Sequence, residues 1–357
     1  MNVGIITFHC SYNFGSALQS FAMQEAVKHL GHSPALIDYR SKDFNQYALL
    51  SLGHPRATAR FCVHPRVYLR RKASFRSFWD RYFNLTNQYS YRDEAALDEL
   101  PSLFDCFICG SDQIWNLDCT GGVVGPFFLS FAGDKRRIAY APSLAHTTFK
   151  PENFNKEYVA GLLAQFDYLS VREEETVPLF QSLVDKPIKT VLDPTLLLNS
   201  ENYAKMTSNK VLEGDYIFMY LLRKCPELIE STVTMAGATG MKVVYISEKN
   251  LDIPNSVNLF GAGPEEFVSL IAHASLILTN SFHATVFSVL FHKPFRVFAT
   301  DKSGARMRDL LGNIGLSSRC NDTICADDIV PCDWDDVDSR LDSLREHSWA
   351  YLRRALS

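Results

Sequence analysis

The sequence has no uninterrupted apolar run approaching the ~20 residues that cross a bilayer, so no helical membrane span is expected. It has no basic excess either. Lys and Arg number 36 against 40 Asp and Glu, a formal net charge of -4, and nucleic acid is therefore not the expected partner. The opening "MNVGIITF" lacks the basic stretch, long apolar core and small-residue cleavage site of a secretory signal. Walker and dinucleotide glycine fingerprints are missing, which argues against ATPase and NAD chemistry and leaves no cofactor implied. Neither G-x-S-x-G nor a two-histidine metal helix occurs, and there is no low-complexity tract or short repeat. These absences together point to a soluble cytoplasmic protein.

Cysteine is present, nine in all, but not in a metal or disulfide pattern. Cys106 and Cys109 form a C-x-x-C inside "FDCFICG", which reads as a buried strand. Residues three apart on a strand point to opposite faces, so the two thiols cannot easily share a bond or an ion. Cys320, Cys325 and Cys332 have no nearby His, and no metal is expected. An odd count suits a reducing compartment.

What is present is an ordinary globular composition, 46% hydrophobic, 21% charged and 12% aromatic, over 357 residues. That length is more than one core usually carries, so two domains are expected. "VGIITF" is a short β-branched run of the kind buried on both faces of a sheet. "ALQSFAMQEAVKHL" places Leu18, Phe21, Ala22, Ala26 and Leu30 on one helical face; Gly31 stops it, and "PALIDY" is the next strand. Strand, helix, strand at this spacing implies a parallel pair with a right-handed crossover. "CFIC", "RRIAYA", "YLSV" and "KTVL" continue the pattern, and Asp193-Pro194 reads as a turn pair near the domain boundary. The second half repeats it with "YIFMYLL", "MKVVYIS", "SLILTN" and "PFRVFA". The expected organisation is α/β, with Rossmann-like domains over 1–200 and 201–335 and an amphipathic terminal helix over 336–357.

Parallel α/β sheets bind ligands beyond the carboxyl ends of their strands. The polar residues at those places are His9, Ser11, Asn13 and Gly15 after the first strand, then Gly110, Ser111, Asp112 and Gln113 after "CFIC". Arg172 follows "YLSV"; Asn280, Ser281 and His283 follow "SLILT"; and Thr300 to Ser303 with Arg306 follow "PFRVFA". Each also has a plain reading. Asn13 and Gly15 can form a turn, Ser111 and Asp112 can cap a helix, and Arg172 can pair with Glu173 to Glu175. Lys302 and Arg306 can be loop surface, and His283 can be a core histidine bonded to a carbonyl. Taken together, Arg172, Lys302, Arg306 and His283 suit a compact anionic ligand in an interdomain cleft, held bidentately by guanidinium groups.

"GIITFHCSYNFGSALQSFAMQEAVKHLG", "FICGSDQIWN", "RIAYAPS", "LSVREEE", "VLDPTLLL" and "LTNSFHATVFSVLFHKPF" together resemble the polysaccharide pyruvyl transferase family of capsule and exopolysaccharide clusters, over roughly Asn2 to Arg319. The resemblance implies a GT-B-like fold, phosphoenolpyruvate as donor and a sugar of a glycan intermediate as acceptor. The implied product is a cyclic pyruvate ketal, with phosphate released. Arg172 falls on the family's donor-binding arginine and His283 on its catalytic histidine. Lys302 falls on a donor-binding lysine, at a spacing one residue shorter. "GSDQIWN" replaces a more glycine-rich loop, and Ser16 stands where some branches place an acid. With that donor, Asn280, Ser281 and Arg306, from their places beyond the strand ends, are expected on the donor side. Asn13, Gly15, Gly110, Ser111, Asp112 and Gln113 belong to the acceptor side or its loops.

The rival readings are a GT-B glycosyltransferase using a nucleotide sugar and a non-catalytic glycan-assembly protein. A nucleotide calls for a base slot and a ribose-binding carboxylate, whereas a small dianionic donor calls for clustered cations. The segment "HPRVYLRRKASFRSFWDRYF" carries Arg66, Arg70, Arg71, Lys72 and Arg76 opposite Phe75, Phe78, Trp79 and Tyr82. It is either a surface helix packed by its aromatics or a contact for an anionic membrane. The second reading would suit an acceptor carried on a polyprenyl diphosphate at the inner membrane face.

Overall fold

The computed structural model describes residues 1–42, 64–145, 155–299, 304–320 and 332–357. The chain forms two compact units. Unit 1 takes the described residues of Met1–Ala59, Trp79–Leu198 and Leu344–Ser357; unit 2 takes those of Arg60–Phe78 and Asn199–Ser343. Two segments depart from a simple division in chain order. Residues 64–78 group with unit 2, and the end of the terminal helix groups with unit 1.

Unit 1 is built on a parallel sheet of β1 (Asn2–Ile6), β2 (Ser33–Arg40), β3 (Leu85–Ser90), β4 (Cys106–Cys109) and β5 (Arg136–Ala139), in the order β3-β2-β1-β4-β5. A two-stranded pair, β6 (Leu169–Val171) and β7 (Ile188–Thr190), joins it through a bridge between Ile138 and Tyr168. Side chains alternate across the sheet as a period of two requires. Val3, Ile5, Cys106 and Ile108 enter one core, whereas Ile6, Phe107 and Cys109 enter the other. Cys106 and Cys109 are accordingly buried free thiols on opposite faces.

Helix α1 (Phe14–His29) follows β1 and is buried almost all round, wider than the single face its periodicity marks. Helix α2 (Pro65–Tyr82) occupies the basic-aromatic segment, with Phe75, Phe78 and Trp79 buried. Its aromatics pack as the surface-helix reading requires. Arg71 is an exception to the surface reading of the basic residues. It is buried, its guanidinium lies 5.0 Å and 4.9 Å from the Phe75 and Phe260 ring centres, and it donates to Phe260 O at 3.0 Å. Helix α3 (Lys156–Leu163) precedes β6.

Unit 2 repeats the plan with β8 (Tyr216–Tyr220), β9 (Lys242–Tyr245), β10 (Ser256–Asn258), β11 (Leu276–Thr279) and β12 (Phe295–Val297), parallel in the order β10-β9-β8-β11-β12. Its helices are α4 (Pro226–Thr239), α5 (Pro264–His273), α6 (Phe282–Leu290) and α7 (Gly304–Asn313). The first turns of α2 lie tightly on this unit. A Cβ on Gly263 would stand 2.6 Å from the Ser74 Cβ, so a side chain there would force the helix off.

The terminal helix α8 (Trp334–Leu356) ends on unit 1, where Leu352, Ala355 and Leu356 enter the core beneath β1 and β4. Arg345 donates to Leu196 O at 2.7 Å and Tyr351 to Ala139 O at 2.9 Å. The edge strands β3 and β10 carry the weakest sequence signal, because edge positions are short and half-exposed and lose the apolar run that marks a central strand. In both sheets the strand order reverses beside the first strand, between β1 and β4 and between β8 and β11. Loops leaving the carboxyl ends of those strands are where such folds place ligands.

Candidate functional site

At the unit 1 switch point, the loops after β1 and β4 are tied together by Thr7 Oγ1, which donates to Ser111 O at 2.9 Å. Gln19, fully buried on α1, donates to Thr7 Oγ1 at 3.0 Å and to Phe8 O at 3.2 Å, so the helix fixes the loop before it. Ser16 donates to Asp112 Oδ2 at 2.6 Å, joining α1 to the β4 loop. Asn13 caps α1, its side chain accepting from Gly15 N and Ser16 N. Gly110 has φ +107, and a Cβ there would lie 2.3 Å from Tyr140 O, so only glycine fits. Ser111 and Asp112 do not cap a helix. The next helical turn begins at Leu117, capped by Asn116.

These loops enclose a cavity of about 70 Å³ lined by polar His9, Ser11, Asn13, Asp112 and Gln113 and by aromatic Phe8, Tyr39 and Phe127. Ser11 Oγ is buried there with no hydrogen-bond partner among the described residues. On the cavity wall His9 Nδ1 donates to Thr7 O at 3.1 Å, and Nε2 lies 3.0 Å from Asp38 Oδ1. Arg40 closes on the same carboxylate, with Nε 2.5 Å from Oδ1 and Nη2 2.9 Å from Oδ2. Burial works against a charged His9, but the Cys10 sulfur and the Asp38 carboxylate outweigh it and push the pKa up to about 10. Burial likewise raises Asp38, but the hydrogen bonds from His9 and Arg40 prevail and hold its carboxyl down to about 2.

Arg172 stands where β6 ends, buried, and pairs with Asp193 Oδ2 at 2.6 Å rather than with the glutamates that follow it. Its guanidinium also donates to Ser111 Oγ, which lies 3.1 Å from Ala141 O and 3.3 Å from Asp193 Oδ2. The other Asp193 oxygen accepts from Thr195 N at 3.0 Å and Thr195 Oγ1 at 2.6 Å. The turn read in "LDPT" is therefore also the anchor of the arginine. Glu173, buried beside it, accepts from Ser143 Oγ and, at 3.3 Å, from Leu144 N. Ser111 is fully buried inside this network and accepts from Arg172.

At the unit 2 switch point, Ser281 caps α6 by accepting from Ala284 N, which puts His283 in the first turn of that helix. His283 is buried, its ring 5.3 Å from Phe282 in an edge contact. Arg306, buried on α7, places its guanidinium 5.5 Å from the Phe282 ring centre, so the two basic groups share one aromatic neighbour. Asn280 Oδ1 accepts from Leu222 N at 2.8 Å, and Nδ2 donates to Arg223 O at 2.8 Å. That amide clamps the loop after β8. Lys302, with Thr300, Asp301, Ser303 and Cys325, lies outside the described residues.

The structure thus brings Ser111 onto Arg172, and Asn13, Asp112 and Gln113 onto one cavity in unit 1. It brings His283 and Arg306 around Phe282 in unit 2. Asp193, Asp38, Arg40 and Tyr39 carried no sequence signal of function, because strand and turn positions conceal which carboxylate meets which cation.

Two Rossmann-like units of the GT-B class are what this architecture defines. A protein assigned as a UDP-N-acetylglucosamine 2-epimerase from Listeria monocytogenes superposes with a TM-score of 0.53 at 10% identity, over 99% of this chain and 90% of that one. The UDP-GlcNAc 2-epimerase of Neisseria meningitidis bound to UDP-GlcNAc gives 0.50 at 12% identity, over 99% and 94%. An E. coli heptosyltransferase gives 0.43 at 8% identity, over 98% and 100%. The sequence profile of the polysaccharide pyruvyl transferases matches residues 13–302, and the chain belongs to that family of transferases. Comparison with curated proteins finds no match.

Proposed function

We propose that the protein transfers the pyruvyl group of phosphoenolpyruvate to two hydroxyls of one sugar in a capsule or exopolysaccharide intermediate, forming a cyclic ketal and releasing phosphate. The observation that carries this reading is the family match over residues 13–302, which contains Arg172, His283 and Lys302 together. In the reaction the donor's methylene carbon takes a proton, and the neighbouring carbon becomes cationic. One hydroxyl adds there, phosphate departs with the phosphorylated oxygen, and the second hydroxyl closes the ring. One hydroxyl proton replaces the proton given to carbon, and the other leaves with phosphate.

His283 is the group that gives and recovers the proton, held at a helix start by an apolar element. Arg172 holds the donor's anionic groups, its plane set by Asp193 and Ser111. Lys302 and Arg306 add positive charge for the leaving phosphate. The unit 1 cavity suits the sugar acceptor, since Asp112, Gln113 and Asn13 offer hydroxyl partners among Phe8, Tyr39 and Phe127. Incubation with phosphoenolpyruvate and galactose- or mannose-containing acceptors tests the reading. Phosphate release coupled to acceptor mass gain is expected; neither, across an acceptor panel, overturns it.

An acceptor carried on a polyprenyl diphosphate would bring the protein to the membrane surface. Among the described residues no helix is long and apolar enough to cross a membrane. Arg66, Arg70, Lys72 and Arg76 remain exposed on α2 beside exposed Val67 and Leu69. Glutamate at 66, 72 and 76 should then abolish flotation with anionic liposomes; unchanged flotation removes the contact. Arg71 is excluded from that set because it is buried.

A further inference from the structure

We propose that His9, Cys10 and Asp38 form a site for a divalent transition cation of the zinc class, with an open coordination position facing the unit 1 cavity. The inference does not rest on the pyruvyl transfer reading, and His9 and Cys10 precede the residues matched by the family profile. The ligand atoms of the three residues all lie within 4.8 Å of one another, and all three residues are buried. His9 Nε2 is 3.0 Å and Cys10 Sγ 3.6 Å from Asp38 Oδ1. Tetrahedral zinc with its usual nitrogen, oxygen and sulfur bond lengths sets its ligand atoms about 3.3–3.6 Å apart, so little movement separates this cluster from a metal shell.

The surroundings fit as well. His9 Nδ1 donates to Thr7 O at 3.1 Å, which fixes the tautomer and leaves Nε2 for the ion. A metal-binding histidine normally uses its other nitrogen in this way. Arg40 Nη2, 2.9 Å from Asp38 Oδ2, would orient the carboxylate from behind, while Arg40 Nε must draw back from Oδ1. Imidazole with thiolate selects zinc-like ions over magnesium or calcium. His9 and Cys10 both line the cavity, so the fourth position is open to water or a hydroxyl-bearing ligand.

The full chain, stripped with chelator and titrated with Co(II), is expected to develop a near-ultraviolet sulfur-to-metal charge-transfer band saturating at about one equivalent, with tetrahedral visible bands. Zn(II) should bleach it. Cys10→Ser should lose the band, and Asp38→Asn should weaken binding at least about tenfold. A wild-type arm guards against variants that fail to fold: Zn(II) should slow alkylation of Cys10, mapped by peptide mass, while leaving Cys119 unprotected. No charge-transfer band in the wild type, a band that survives Cys10→Ser, or Cys10 labelling indifferent to Zn(II) each overturns the site and leaves a plain His9–Asp38–Arg40 ion cluster.

Discussion

The two switch points use the same topology and are stiffened by different chemistry. In unit 1 the loops are crosslinked by buried charge: Arg172 on Asp193, and His9 with Arg40 on Asp38. In unit 2 the corresponding loops are held by neutral groups, the Asn280 amide on the β8 loop and the Ser281 cap on α6. A buried ion pair is not by itself a strong stabiliser, because desolvation offsets much of its attraction. Its cost appears when one partner is lost. A neutral cap loses only one hydrogen bond, so unit 2 can hold His283 without staking its fold on it.

That contrast can be broken by mutation. Asp193→Ala should destabilise unit 1 by about 3–5 kcal/mol, because the buried Arg172 guanidinium loses the carboxylate it pairs with. Denaturant midpoints check this. The double variant with Arg172→Met should recover part of the loss, and an additive result would show that the pair is not coupled. Under the proposed reaction His283→Gln should behave in the opposite way, lowering the transfer rate about 10²–10⁴-fold with little change in midpoint. Equal losses of stability in the two cases would erase the distinction.

The smallest effect concerns alkaline pH. Burial pushes the Cys106 thiol of unit 1 up to about 11, and the Tyr220 hydroxyl of unit 2 up to about 12, against the pull of Arg71 on the latter. Both folded pKa values are raised, so each group's contribution is whole below its unfolded value and lost as pH rises through the folded one. Unit 1 should therefore begin to weaken from about pH 9, where a free thiol starts to ionise, and unit 2 from about pH 10. Urea midpoints across that window check the order. Cys106→Ala should flatten the unit 1 slope.

Much of the fold was legible. The β-branched runs of β1 and β4, the glycine stop after α1 and the strand–helix alternation of both halves are local signals, set by side-chain sterics and period. The placement of His283 and Arg172 just past strand ends was also legible, because position after a strand end is itself a sequence feature. Asn280 and Ser281 were legible as polar residues after a strand end, whereas the clamp on the β8 loop and the cap on α6 were not. Which partner a polar side chain chooses depends on the strand beside it, and β8 lies some sixty residues away.

The chain's order of short apolar strands and capped helices determined by itself a pair of parallel α/β sheets, since burial on both faces admits few other arrangements. Only the tertiary structure decided which charges meet. Asp193 reaches Arg172 across 21 residues, Asp38 reaches His9 across 29, and the far end of α8 returns to the first sheet. Arg71, one basic residue among several in its helix, turned inward because Phe260 supplied a ring and a carbonyl. Such pairings are set by distance in space, and period along the chain carries no information about them.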